Sequence, residues 1–183
     1  MMSSAPENGR NATSAQKIII RWAVVPTSLG PMMLAATDKG VCRLSFDEDA
    51  ADMRRRFPNA QLQSADHAMQ SWIDGAIAAV ENPRAMPHVP VDITGTPFQA
   101  AVWAELQHIP AGETRSYAQI AAAVGKPGAV RAAGSANGAN QVAVLIPCHR
   151  VIRSDGALGG YAYGLERKRI LLAREGVATQ LPF

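Results

Sequence analysis

Two helix-start signatures govern the second half of this chain, Thr96-Pro97-Phe98-Gln99 and Ser116-Tyr117-Ala118-Gln119. In each, a hydroxyl can accept from the backbone N–H three residues on, while the Gln side chain returns to the cap residue. Pro97 suits the first helical position, where no N–H is needed. Each start has its own stop. The first helix presents Phe98, Val102, Trp103 and Leu106 at helical spacing and must end before Pro110. After a turn over 111–115, the second helix closes at Gly125, ahead of Lys126-Pro127-Gly128. Residues 129–139 can then form a third. Two short helices around a Gly/Pro turn have the outline of a helix-turn-helix.

The first half reads differently. Residues 18–25 are rich in β-branched and aromatic types, and Pro26-Thr27-Ser28-Leu29-Gly30 punctuates them. A second strand is expected over 31–37, a tight turn at Asp38-Lys39-Gly40 and a third strand over 41–46, giving a meander. Two helices are expected over 48–57 and 66–81, the latter from the spacing of Met69, Trp72, Ile73, Ile77 and Val80. Residues 82–95, with Pro83, Pro87 and Pro90, form an irregular connector. The expected organisation is a tail over 1–16, an N-terminal scaffold over 17–94 and a second domain over 95–183.

At 183 residues, folding can hide roughly 70% of the chain's surface, so no metal or disulfide staple is required. Two cysteines cannot build a disulfide framework and read as reduced thiols. Cys42, in the third strand, reads as a small buried hydrophobe. The first 16 residues lack an apolar run, and no segment approaches a membrane span, so a soluble cytoplasmic protein is expected. The net charge of +3 is unevenly placed: residues 1–97 carry −1 and residues 98–183 carry +4. A basic half favours a polyanionic partner, although four charges equally suit a solvated surface.

Within 129–139, Arg131 is the one long side chain. A helix that reads base edges offers several long polar side chains, which this one lacks. Small residues such as Ala129, Ala132, Gly134 and Ser135 would let its backbone approach a nucleic-acid groove, with Arg131 as a probe or wedge. The same pattern equally fits a helix packed closely inside the protein.

The densest chemistry lies at Ile146-Pro147-Cys148-His149-Arg150-Val151-Ile152. An apolar strand over 142–146 is expected to lead into Cys148, whose neighbouring cations favour thiolate, the nucleophilic form. No metal site is expected, because His67, His88 and His108 are scattered and no second Cys lies near. No cofactor is expected.

These residues resemble the O6-alkylguanine-DNA alkyltransferases, the methylated-DNA–protein-cysteine methyltransferases. The resemblance is strongest over residues 96–177. It rests on Pro147-Cys148-His149-Arg150-Val151, Gly112-Glu113-Thr114 before Ser116-Tyr117, Arg131, Asn140 and Glu175-Gly176. It implies an α+β fold: an N-terminal antiparallel sheet with helices, ribonuclease H-like, followed by a mostly helical, winged-helix-like domain carrying the active site. It further implies direct reversal of DNA damage, with the alkyl group of O6-alkylguanine, and of O4-alkylthymine, passing irreversibly to Cys148. His149 would activate Cys148 through a water and Glu175 would orient His149. Tyr117 would assist rotation of the target nucleotide and donate toward guanine N3, and Arg131 would fill the vacated stack from the minor groove.

Asn140 would join the recognition helix to the active-site turn. A hairpin over 151–161 would form the pocket wall, with Val151, Tyr161, Ala162 and Tyr163 about the base. The chain departs from the family at Gln141, where several members have Pro, at Ala162, where some have Ser, and at Tyr163, where many have Gly. The implied partner is double-stranded DNA, met as a monomer, with cooperative binding along DNA as a further expectation. Relatives that bind damage without repairing it have Trp in place of Cys148. That sensor class, a helix-turn-helix regulator and a thiol redox enzyme are the competing readings.

Overall fold

A computed structural model describes residues 17–85 and 87–178; the expected tail over 1–16 lies outside them. Three antiparallel strands, β1 (Ile19–Thr27), β2 (Gly30–Ala36) and β3 (Val41–Phe46), form the expected meander. A fourth, β4 (Gln61–Ser64), pairs parallel to β1 and completes the order β3-β2-β1-β4. Its sequence, QLQS, lacks β-branched residues, so propensity alone conceals it. The sheet is therefore mixed rather than purely antiparallel.

Alternation along the strands divides two hydrophobic layers. Met33, Ala35 and Cys42 face Met53 of α1 (Ala50–Arg56), which a capping box between Asp49 and Asp52 starts. Cys42 thus sits in a small core, and its thiol is pushed up to about 11, chiefly by burial. Met32, Leu34, Val41 and Leu44 face the larger layer. There they meet Ile73 and Val80 of α2 (Gln70–Glu81), which a 3-10 turn over His67–Met69 precedes.

The same layer continues without a break into the second half. It includes Trp103 and Leu106 of α3 (Pro97–Gln107), Ile120 of α4 (Tyr117–Ala123), Ala133 of α5 (Val130–Gly138) and Leu171 of α6 (Leu165–Arg174). Both expected capping boxes form, at Thr96/Gln99 and Ser116/Gln119. Trp103 donates from Nε1 to the Ala136 carbonyl at 2.8 Å, which ties α3 to α5. The outer edge of β3 is covered from the second half: Leu44 donates to Gln141 O at 3.0 Å, and Ala143 donates to Leu44 O at 3.0 Å. Together with Pro90 and Asp92 of the connector, which pair with Val41, these bonds close the strand edge.

Two expected elements take other forms. Residues 142–146 are not a strand but a tight turn, and the pocket-wall segment after β6 (Val151–Ile152) is not a hairpin. β6 pairs parallel with β5 (Arg115–Ser116), and the segment beyond it turns at residues 153–157 and continues as loop to Gly164. No helix among the described residues is long and apolar enough to cross a membrane.

Candidate active site

Two consecutive three-residue turns deliver Cys148 to its place. Leu145 donates to Ala143 O at 2.8 Å around Val144, whose φ of 69° is rare for a β-branched residue. Cys148 donates to Ile146 O at 2.8 Å around Pro147, whose φ of −80° and ψ of 60° define an inverse γ-turn. Asn140 holds this path together. Its Oδ1 accepts from Val142 N at 3.0 Å, and its Nδ2 donates to Ile146 O at 2.8 Å. Strain at Val144 persists because the buried Asn140 and the edge of β3 leave the chain no slack. Cys148, His149 and Arg150 then form a 3-10 turn, and Asn137 of α5 donates to Cys148 O at 3.3 Å.

Behind the cysteine lies a fully buried set of charged groups. His149 Nε2 and Glu175 Oε1 are 2.9 Å apart, and Arg150 donates to Glu175 through Nε at 3.1 Å and through an Nη at 2.9 Å. Gly112, with φ of 92°, donates its N–H to Glu175 Oε2 at 3.3 Å. Arg84 of the connector donates to the Glu175 carbonyl at 2.7 Å. Burial would raise the Glu175 carboxyl, but hydrogen bonds from His149 and Arg150 win and hold it at about 2. Burial lowers His149 against the opposing pull of Glu175. Glu175 is therefore an anion and His149 a neutral ring at neutral pH. Nε2 must carry the hydrogen that the carboxylate accepts, which leaves Nδ1 as a bare base. Nδ1 is buried and has no hydrogen-bond partner among the described residues.

The expected thiolate is corrected by this arrangement. Burial raises the Cys148 thiol above its ordinary range, opposed by Asn140 and by the charge of Lys168. The adjacent cations do not rescue it, because Arg150 is committed to Glu175 and His149 is uncharged. The cation that does act on the sulfur comes from α6. Lys168 is fully buried and donates to Val151 O at 2.6 Å and Leu158 O at 2.5 Å. Burial lowers its ammonium to about 8, so it remains mostly charged at neutral pH. Lys168 had a legible signal: with Leu171, Leu172 and Glu175 it falls on the inward stripe of α6.

Cys148 opens into a pocket of about 430 Å³ lined by Tyr117, Asn137, Asn140, Tyr161, Ala162 and Tyr163, among others. Burial and proximity to Cys148 raise the Tyr117 phenol, which keeps it a protonated donor at neutral pH. Tyr117 is held by close backbone on both sides. A Cβ on Gly159, whose φ is 68°, would lie 2.9 Å from the Tyr117 hydroxyl, and one on Gly134 would lie 3.6 Å from its ring. Val151 stands apart from the other candidates. Its side chain is buried in the core, and its carbonyl is held by Lys168. Asn137 went unread in the sequence because a lone Asn among small residues carries no pattern.

Helix α5 packs one face of its small residues inside the protein and leaves the opposite face exposed. Ala133, Ala136 and Asn137 are buried, while Arg131, Ala132 and Ser135 are exposed, and Ala129 and Gly134 are half-buried. Contact between this helix and α3 and α4 is possible at short range because no large side chain intervenes.

The family model for the 6-O-methylguanine DNA methyltransferase DNA-binding domain matches residues 97–177. A methylated-DNA–protein-cysteine methyltransferase of Mycolicibacterium paratuberculosis is 55% identical over 161 residues, which cover 86% of this chain and 93% of that protein. The Mycobacterium tuberculosis OGT solved in complex with DNA matches with a TM-score of 0.70 at 37% identity, covering 86% of this chain and 92% of that one. The bifunctional transcriptional activator/DNA repair enzyme Ada of Escherichia coli is 42% identical over 164 residues, and this chain spans only 46% of its length. With the cysteine, its buried histidine and carboxylate, and similarity over nearly the full length of the two mycobacterial proteins, this chain belongs to the methylated-DNA–protein-cysteine methyltransferase family.

Proposed function

We propose that this chain repairs duplex DNA by moving the alkyl group of O6-alkylguanine, and of O4-alkylthymine, onto Cys148, once per molecule. The observation that carries the reading is the pairing of a pocket-facing Cys148 with a buried His149 whose Nδ1 has no partner among the described residues and whose Nε2 is held by Glu175. The sulfur attacks the alkyl carbon, a C–S bond forms and the C–O bond breaks. The thiol proton passes through a water to Nδ1, and Tyr117 steadies the departing guanine anion by a hydrogen bond to its N3. That anion takes a proton from solvent as the imidazolium returns its own. An unperturbed thiol is only a few per cent thiolate at neutral pH, and burial lowers that fraction. Proton removal must therefore accompany attack. In-line placement of the base contributes more, up to about 7–11 kcal/mol in well-oriented cases.

A base inside a duplex cannot reach the sulfur, so the nucleotide rotates into the pocket. The exposed face of α5 meets the minor groove with Arg131 as wedge, and its small residues Ala132 and Ser135 allow close approach. We read the α4–turn–α5 unit beside β5 and β6 as winged-helix-like and the four-stranded sheet as ribonuclease H-like. The protein acts as a monomer on cellular DNA. The test mixes the protein with a duplex carrying O6-methylguanine and maps its peptides. One methyl on Cys148 per chain, absent in Cys148→Ala, is expected. Binding without any methyl on Cys148 would instead identify a damage sensor.

A further inference from the structure

The N-terminal sheet carries none of the reacting groups, yet it meets the pocket wall through Phe46 of β3 and through Arg167 of α6. Arg167 lies in the first turn of α6, and its guanidinium spans three pieces of chain. It donates from Nε to Leu29 O at 2.8 Å, in the β1–β2 turn. It pairs with Asp47, just past β3, through Nη1 at 2.7 Å. It also donates from Nη1 to Tyr163 O at 3.1 Å, in the pocket wall. The guanidinium lies 5.1 Å from the ring centroid of Phe46, and that ring meets Tyr163 edge-on at 5.6 Å. The fit is close: a Cβ on Gly30 would lie 3.0 Å from an Arg167 nitrogen. A planar fork with several donors suits this task, because one group fixes three acceptors in a single orientation.

We propose that Arg167 is a positioning residue for lesion size, through which the N-terminal sheet holds the Tyr163 ring against the Cys148 pocket. The proposal rests on the alkyl-transfer reading above. A fixed aromatic wall limits the space beside the sulfur, so a methyl group is accepted more readily than a bulky benzyl group. Releasing the carbonyl of Tyr163 and the packing of Phe46 lets the ring withdraw, and larger groups gain access.

The experiment compares single-turnover rates of Cys148 alkylation from duplexes carrying O6-benzylguanine or O6-methylguanine. In Arg167→Ala the benzyl-to-methyl ratio should rise about fivefold, the net scale of one ordinary hydrogen bond expressed as a rate ratio. Arg167→Lys retains the cation and the helix but cannot serve three acceptors, so it should move the ratio in the same direction. The cycle with Tyr163→Gly decides the route: with the ring absent, Arg167→Ala should leave the ratio unchanged. Arg174→Ala is the control. Seven residues along the same helix, Arg174 binds the N-terminal half at Val80 O (2.5 Å) and Ser28 Oγ (2.6 Å). Its loss should lower stability and leave the ratio alone. Equal ratio changes in Arg167→Ala and Arg174→Ala, or the same change with and without the Tyr163 ring, would overturn the proposal. Absence of wild-type methyl transfer would instead defeat the underlying alkyl-transfer reading, a separate readout.

Discussion

Replacing Glu175 by Gln removes the one anion from a buried cluster and leaves the Arg150 guanidinium, 1% exposed, against a neutral amide. Two independent routes give the size of the effect. Deleting one partner of a buried ion pair costs about 3–5 kcal/mol, because the remaining charge stays desolvated. The carboxyl itself is held at about 2 against a reference of 4.5, which corresponds to about 3 kcal/mol of stability. A depressed carboxyl contributes fully above pH 4.5 and loses its contribution as pH falls toward 2. In urea at pH 7, Glu175→Gln should therefore lose about 3–5 kcal/mol, or about 2 M in midpoint for a slope of about 2 kcal/mol/M. At pH 3 about 2 kcal/mol of that advantage has gone from the wild type, and the gap should shrink to about 1–3 kcal/mol. His149 adds to the wild type's acid sensitivity at higher pH: its lowered basicity means that the unfolded chain takes up the proton first as pH falls below 6.5. A gap below 1 kcal/mol at pH 7, or an equal gap at both pH values, would refute the assignment of Glu175 as the buried anion.

Lys168→Met should raise the Cys148 thiol further and cost about 2 kcal/mol, since the Val151 and Leu158 carbonyls lose their donor; thiolate absorbance against pH and urea unfolding read the two effects. Arg131→Ala should change stability by less than about 0.5 kcal/mol, because the side chain is exposed. If it reaches the duplex, repair in DNA should fall far more than reaction with free O6-benzylguanine, and equal losses on both would contradict the wedge. Trp103→Phe should cost about 1–2 kcal/mol through the lost bond to Ala136 O, measured by urea midpoint.

What could be read along the chain is what neighbours in sequence decide. Thr96/Gln99 and Ser116/Gln119 close hydrogen bonds within four residues, so the starts of α3 and α4 were legible, as were their stops at Pro110 and Gly125. The Pro147-Cys148-His149-Arg150 motif marked Cys148 as the candidate nucleophile through its resemblance to a family motif. β4 escaped because its pairing with β1, more than forty residues away, compensates a sequence with little strand preference. The turn at 142–146 escaped because its apolar residues are buried by β3 and bent by Asn140, and an apolar run alone does not distinguish a strand from a buried turn.

The protonation of the site was decided in space. Reading Cys148 beside His149 and Arg150 in sequence suggests a thiolate. In the fold, Glu175 claims both neighbours from 25 and 26 residues away, and burial penalises the sulfur's charge. The cation whose charge opposes that penalty is Lys168, buried by the inward stripe of α6. The sequence by itself determined the candidate nucleophile and where short helices begin and end, because a motif and a cap are covalent or local. Only the tertiary structure decided the charge each group carries and what the N-terminal sheet touches. Desolvation and long-range pairing set those, and they exist only once distant segments share one core.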